Sequence, residues 1–172
     1  MENLIEDLLL LAELGESQNR EVERIDLSEL VRSHATDFVT LNPTRISEIV
    51  IEPDVAMMAS RDYLARLMQN ALTNISKHTP GEAPVRITLT KGSKVAQLSI
   101  EDGGPGLPSK AYREDVRSFN RFDKSRSRET GGSGLGMSIM SAVVSKLDGK
   151  LSLRKSELGG LAILVELPLI KD

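Results

Sequence analysis

The stretch 70-NALTNISKHTP-80, Asn70 to Pro80, closes a segment that otherwise reads as a core helix. Leu64, Leu67, Met68, Ala71, Leu72 and Ile75 recur at the three-and-four spacing of one buried helical face. At roughly 100° per residue, Asn70, Asn74, Lys77 and His78 form a second stripe bordering the apolar one. A border position is half buried, so its polar groups must find partners in the fold or in a ligand. The helix is expected to begin near Arg61 and to stop near Thr79, because Pro80 disfavours helical geometry in the residue before it.

Working outward, the chain of 172 residues is long enough for one domain with a real core, plus a small appendage. A net charge of −3 gives no global attraction to nucleic acid or to anionic membranes. Aromatic residues make up 3% of the chain, too few for base-stacking platforms, so no nucleic-acid partner is expected. The absence of cysteine excludes disulfides and thiolate metal sites and fits a reducing compartment. No apolar run reaches the length of a membrane span.

Met1 to Leu14 reads as a helix with Leu4, Leu8 and Leu11 at heptad-like spacing and Ile5 and Ala12 beside them, a stripe that should pack on a partner. Gly15 to Arg20 reads as a linker and "VERIDL" as a short strand, after which Ser28 is expected to cap a helix through about Val39. "RISEIVIE" and "VAMMA" are short strands parted by Pro53-Asp54. After the asparagine helix, "VRITLT" and "VAQLSIE" form a hairpin around "KGSK". A polar segment, Ser109 to Thr130, precedes "GGSGLG" and a helix from about Leu135 to Leu147; "KLSLRK" and "LAILVELPL" close the chain. The elements mix without a βαβ rhythm, which predicts an antiparallel-rich sheet with helices on one face.

Taken singly, the polar motifs are weak. "GGSGLG" opens a helix, so its amides and the helix N-terminus offer an anion site, although it lacks a P-loop lysine and serves equally as a hinge. Asp102, followed by Gly103, Gly104 and Gly106, stands at a strand end, where a turn is the commoner explanation. A carboxylate there can also accept from a ligand amine while the glycines let a flat ring approach the backbone. Capping or core hydrogen bonds would account for either asparagine, yet an amide oxygen also suits magnesium held mainly by phosphates. Lys77, one turn on, can reach a phosphate, and the basic run Lys124, Arg126, Arg128 is either a solvated loop or a screen for phosphate charge.

In this order and at this spacing, the motifs resemble the ATP-binding catalytic domain of sensor histidine kinases, within the superfamily of gyrase, heat-shock chaperone and mismatch-repair ATPases. "NALTNISKHTP" is similar to its N box, "DGGPGLP" to its first glycine box, "FNRF" to its F box and "GGSGLGMSI" to its second glycine box. The resemblance covers the chain from about Val22 onward. It implies an α+β fold, a two-layer α/β sandwich (the Bergerat fold) with a mixed, mostly antiparallel sheet, helices on one face and a mobile ATP lid at about residues 107–130. It implies ATP and Mg²⁺ as ligands: Asn74 for the metal, Asn70 and Lys77 near the phosphates, His78 beside the adenine, and Asp102 selecting adenine through its exocyclic amine. Gly104, Gly106 and Leu107 would shape that pocket. Gly132, Gly134, Leu135 and Gly136 would wrap the phosphates, and Arg121 would be a lid arginine reaching the terminal one. Gly103 and Ile75 stand where the pattern more often has asparagine and alanine.

Hydrolases of the superfamily usually carry a glutamate four residues before the magnesium asparagine, as general base for water. Here that position is Asn70, which cannot take a proton, and base assistance is worth roughly 10²–10⁴-fold. A kinase needs no such base, because the acceptor imidazole is itself the nucleophile. Residues 1–16 resemble the end of the second helix of the kinase dimerisation hairpin, with 17–172 the catalytic domain. His34 is not in the context of the phospho-accepting histidine and is expected to be a surface helix residue. The resemblance implies a cytoplasmic piece of a longer, membrane-anchored homodimer. Its partners would be its own phosphoacceptor domain and a cognate response regulator, and the isolated piece would be a monomer. The rivals are an ATPase of the same superfamily and a nucleotide-sensing scaffold without transferase activity.

Overall fold

The computed structural model describes residues 2–16, 20–113 and 135–170. In chain order its elements are α1 (Glu2–Gly15), β1 (Glu23–Asp26), α2 (Leu27–Leu41), β2 (Ser47–Ile51), β3 (Ala56–Ala59), α3 (Arg61–His78), β4 (Val85–Lys91) and β5 (Val95–Asp102). A 3₁₀ turn (Ser109–Tyr112), α4 (Gly136–Lys146), β6 (Lys150–Lys155) and β7 (Leu161–Pro168) complete them. Five strands form one sheet in the order β2-β4-β5-β7-β6, and β1 pairs with β3 in a separate ribbon. Every pair is antiparallel except β2–β4, which runs parallel.

Period-two alternation decides which face of the sheet is covered. The register aligns Ile49, Ile87, Ile100, Ile163 and Leu153 in one cross-strand row, with Ile51, Leu89, Leu98, Val165 and Leu151 in the next. Apart from β2 at the edge and Leu151, these residues are buried. The opposite face carries Glu48, Arg86 and Glu101 side by side, with Arg86 within 2.7 Å of Glu48 and 3.7 Å of Glu101. The apolar stripe of α3 is buried as its spacing required, through Leu64, Leu67, Met68, Ala71, Leu72 and Ile75. Met137, Ile139, Met140, Val143 and Val144 of α4 join it in the helical layer. α3 ends at His78, and Thr79 adopts the extended geometry (φ −123°, ψ 147°) that the following proline demands.

The structure corrects one expectation, the helix cap. The helix after β1 is capped by Asp26, whose carboxylate accepts from Glu29 N at 2.9 Å, and not by Ser28. Ser28 lies inside the helix and is buried; its hydroxyl donates to Glu52 O at 2.6 Å and accepts from Val55 N at 3.1 Å, tying α2 to the β2–β3 connection. In α1, the residues that dock are Leu10 and Leu14, which are buried, with Leu11 at their edge. Leu4, Ile5 and Leu8, most of the heptad-like stripe, face outward at 42%, 65% and 52% exposure. α1 packs against α4. Arg20 fastens its end, donating to Glu13 and Asp62 at 2.7 Å each with its guanidinium 5.5 Å from the Tyr63 ring centroid.

Replacing Ser28 by Ala strands the buried Val55 amide and unpairs the Glu52 carbonyl, which costs about 1–3 kcal/mol. Removing the exposed cap with Asp26→Ala costs about 0.5–2 kcal/mol. Urea denaturation should therefore give Ser28→Ala the larger loss; the reverse order would mean the buried hydroxyl contributes less than the cap.

Candidate active site

Because β5 runs one residue further than its alternation alone indicated, Asp102 is its last residue, paired opposite Val85. Its side chain is carried into the covered layer, where the residue is only 4% exposed. A carboxylate so buried requires donors. Gly104 N supplies one at 2.9 Å and Leu161 N a second at 3.3 Å, both to Oδ1. Among the described residues no donor meets Oδ2, so that oxygen is available to a ligand.

The glycines after Asp102 turn away under specific constraints. Gly106 has φ +69°, and a Cβ there would lie 2.8 Å from the Tyr112 hydroxyl. That hydroxyl in turn accepts from Leu107 N at 2.8 Å, and Ala111 is buried. Residues 107–112 thus meet the domain through the Leu107–Tyr112 hydrogen bond and the buried Ala111.

Along α3 the second stripe follows the helix that the first stripe anchors. Asn70, Asn74 and His78 are half buried and Lys77 is exposed. Asn70 Nδ2 donates to Arg66 O at 2.9 Å, which turns its Oδ1 outward, and a Cβ on Gly136 would lie 3.7 Å from that oxygen. The first glycine of α4 therefore sits against the asparagine stripe, although 66 residues separate them in sequence (136 − 70). Leu135 precedes α4 and packs on the core. Among the described residues the Asn74 amide makes no side-chain hydrogen bond. The far end of the same helix meets the aspartate: Thr79 packs on Gly104, with its Cγ2 2.6 Å from where a Cβ would stand. One polar line thus runs from Asp102 past His78, Asn74 and Asn70 to the N-terminus of α4.

Arg121, Gly132 and Gly134 lie outside the described residues, as do Phe119, Phe122, Lys124, Arg126 and Arg128. His34 is half buried, and its Nδ1 bonds the Leu30 carbonyl at 2.9 Å. Among the described residues no cluster of His, Asp and Glu could hold a metal ion unaided.

Sequence reading missed Gly160. The turn between β6 and β7 folds over the end of β5, where Gly160 N donates to Asp102 O at 3.0 Å. A Cβ on Gly160 would stand 2.1 Å from Asp102 Oδ1 and 2.6 Å from Gly104 N. In sequence "LGGL" is an ordinary turn signal, and nothing local says what it covers. Gly160→Ala must push the carboxylate out of place, so it should abolish adenine-nucleotide binding by calorimetry. Gly81→Ala, whose Cβ would have nothing within 4 Å, should bind as the parent does. Undiminished binding by Gly160→Ala would contradict this geometry.

Residues 59–171 match the family described as "Histidine kinase-, DNA gyrase B-, and HSP90-like ATPase". The chain is 34% identical over 167 residues to the probable sensor histidine kinase TcrY of Mycobacterium tuberculosis, covering 96% of this chain and 35% of that protein. It is 31% identical over 163 residues to the sensor protein RstB of Escherichia coli, covering 93% and 37%. It therefore spans about a third of the length of these relatives. Among solved structures, the mycobacterial sensor histidine kinase MprB superposes with a TM-score of 0.72 at 25% identity, covering 88% of this chain and all of that one. Full-length ShkA in complex with AMPPNP shares the fold, with a TM-score of 0.77 at 22% identity over 99% of this chain and 36% of that one. The chain belongs to the family of histidine kinase-, DNA gyrase B- and HSP90-like ATPases, with the build of a sensor histidine kinase's catalytic, ATP-binding domain.

Proposed function

We propose that the chain binds Mg-ATP and delivers its γ-phosphoryl group to a histidine on a dimerisation domain of the same protein, as the catalytic step of a two-component signalling system. The observation that carries this reading is the polar line from Asp102 to Gly136. A base-recognising carboxylate lies at one end and a helix N-terminus suited to phosphates at the other, with two amides between.

In this reading Asp102 Oδ2 accepts from the exocyclic amine of adenine. Gly104, Gly106 and Leu107 shape the base pocket, and His78 flanks the ring. Asn74, helped by Asn70, would hold Mg²⁺, whose contribution when bound is to neutralise phosphate charge. The donor set fits that role: neutral amide oxygens without a carboxylate cluster suit a cation held mainly by the nucleotide's own phosphates. Lys77 and Arg121 offset charge on the phosphates, and Gly132, Gly134, Leu135 and Gly136 present amides to them. The acceptor imidazole nitrogen forms a bond to the γ-phosphorus as the bond to the β,γ-bridging oxygen breaks, and ADP departs. This chain contributes positioning and charge neutralisation, which carry most of phosphoryl transfer. Asn70 argues for transfer over hydrolysis, since its amide offers no base to water and its nitrogen is committed to Arg66 O.

The lid would continue from the anchored turn at 109–112 toward α4, and α1 would be the end of the dimerisation hairpin. No helix among the described residues is long and apolar enough to cross a membrane. In this reading the membrane anchor would belong to a longer protein. Its partners would be that hairpin and a response regulator.

The test is transfer in trans. Mixed with its own hairpin and γ-labelled ATP, the chain should label a histidine there, giving an acid-labile, base-stable product, and should turn over ATP slowly by itself. Asn74→Ala should keep the parent's circular dichroism and melting temperature while transfer falls below detection. Rapid conversion of ATP to ADP by the unaltered chain would favour an ATPase, and nucleotide binding without any transfer a scaffold.

A further inference from the structure

Arg45 lies in the loop between α2 and β2, a setting in which arginine is ordinarily solvated. Here it is 6% exposed. One terminal nitrogen donates to Thr79 Oγ1 at 2.9 Å and to Ala83 O at 3.0 Å, and the guanidinium stands 5.9 Å from the Phe38 ring centroid. Among the described residues no carboxylate pairs with it, and its Nε is buried without a hydrogen-bond partner. Burying a cation this way is costly, and an apolar side chain of similar volume would fill the space more cheaply. Packing alone therefore does not explain the residue.

What Arg45 grips does. Thr79 and Ala83 are the two ends of the segment that leaves α3, and that segment presses on the residues after Asp102. Pro84 O accepts from Gly103 N at 2.9 Å. The Thr79 methyl packs on Gly104, whose amide in turn donates to Asp102 Oδ1. The Thr79 hydroxyl has one proton, which goes to Ile75 O at 2.7 Å, so a second partner of its oxygen must be a donor. A guanidinium, which only donates, meets that requirement.

We infer that Arg45 is a positioning residue for base recognition: by clamping Thr79 and Ala83 it fixes the backbone that sets the Asp102 carboxylate, without touching the nucleotide itself. The inference rests on the reading of Asp102 as the adenine-selecting group. It extends the site to a loop more than fifty residues upstream of that aspartate (102 − 45 = 57).

The experiment is calorimetric titration of ADP and of GDP, each with magnesium, into the parent, Arg45→Met, Arg45→Lys, Thr79→Val and the Arg45→Met/Thr79→Val double variant, with melting temperatures recorded alongside. Arg45→Met should bind ADP about tenfold more weakly with little change for GDP, so that the preference narrows. Arg45→Lys, keeping one donor, should recover part of it. Thr79→Val keeps the methyl on Gly104 but loses the hydroxyl, and should narrow the preference as well. The double variant should be no worse than the more affected single one, because both remove the same link. A folded Arg45→Met with a lowered melting temperature and an unchanged ADP:GDP ratio would overturn the inference and make Arg45 purely structural. If Arg45→Met does not fold, an unchanged ratio in both Arg45→Lys and Thr79→Val has the same force. A parent without preference for ADP would instead refute the role of Asp102, and this inference with it.

Discussion

Asp102 holds its carboxylate in a buried position at the end of β5, and three stretches of chain that are distant in sequence converge to keep it there. Gly104 and Leu161 donate to one oxygen, Gly160 donates to its backbone carbonyl, and the segment from Thr79 to Pro84 braces the glycines that follow. A buried carboxylate requires donors held in place around it. The β6–β7 turn, the 79–84 loop and the 103–107 segment are therefore not free to vary independently. Each presents a backbone group or a close apolar contact at a position the carboxylate fixes.

That constraint reaches the helices. α3 buries a full apolar face on the sheet and on α4, and this fixes its rotation about its own axis. With the rotation fixed, Asn70 and Asn74 can point only along the border, toward the start of α4. The structure thus spends its hydrophobic core on orientation as much as on stability: the apolar stripe holds the polar stripe at the site. The arrangement also separates recognition from charge handling. In the proposed reading the end that takes the base is built from backbone and one carboxylate held by main-chain donors, whereas the end that takes the phosphates is built from side-chain amides and the start of a helix.

Much of this was legible because it is local. Pro80 ended α3 where steric conflict with the preceding residue required, and period-two alternation placed β4 and β5 to within a residue. The stripes on α3 could be read because a helix converts spacing directly into direction. The misreadings arise where a contact is set from across the molecule. Asp26 and Ser28 are both plausible caps, and only the β2–β3 connection lying over Ser28 removes it from that role. Which residues of α1 meet α4 could not be read from spacing either, because the burial of Leu10 and Leu14 depends on how α1 lies across a helix more than a hundred residues later. Gly160, Tyr112 and Arg45 gave no signal. A turn glycine, a loop tyrosine and a loop arginine acquire their contacts only once the fold brings them to Asp102, to the residues after it and to Thr79.

The account stands or falls on a single hydrogen bond, from the adenine amine to Asp102 Oδ2, and its most direct measurement removes that amine from the ligand and leaves the protein untouched. Purine riboside 5′-diphosphate differs from ADP only in lacking the exocyclic amine. Hydrogen bonds to charged groups are worth about 1.5–3 kcal/mol, so by calorimetry with magnesium it should bind about tenfold to a hundredfold more weakly than ADP. Equal affinity for the two nucleotides would contradict the account, because the buried carboxylate around which the site is built would then not be reading the base.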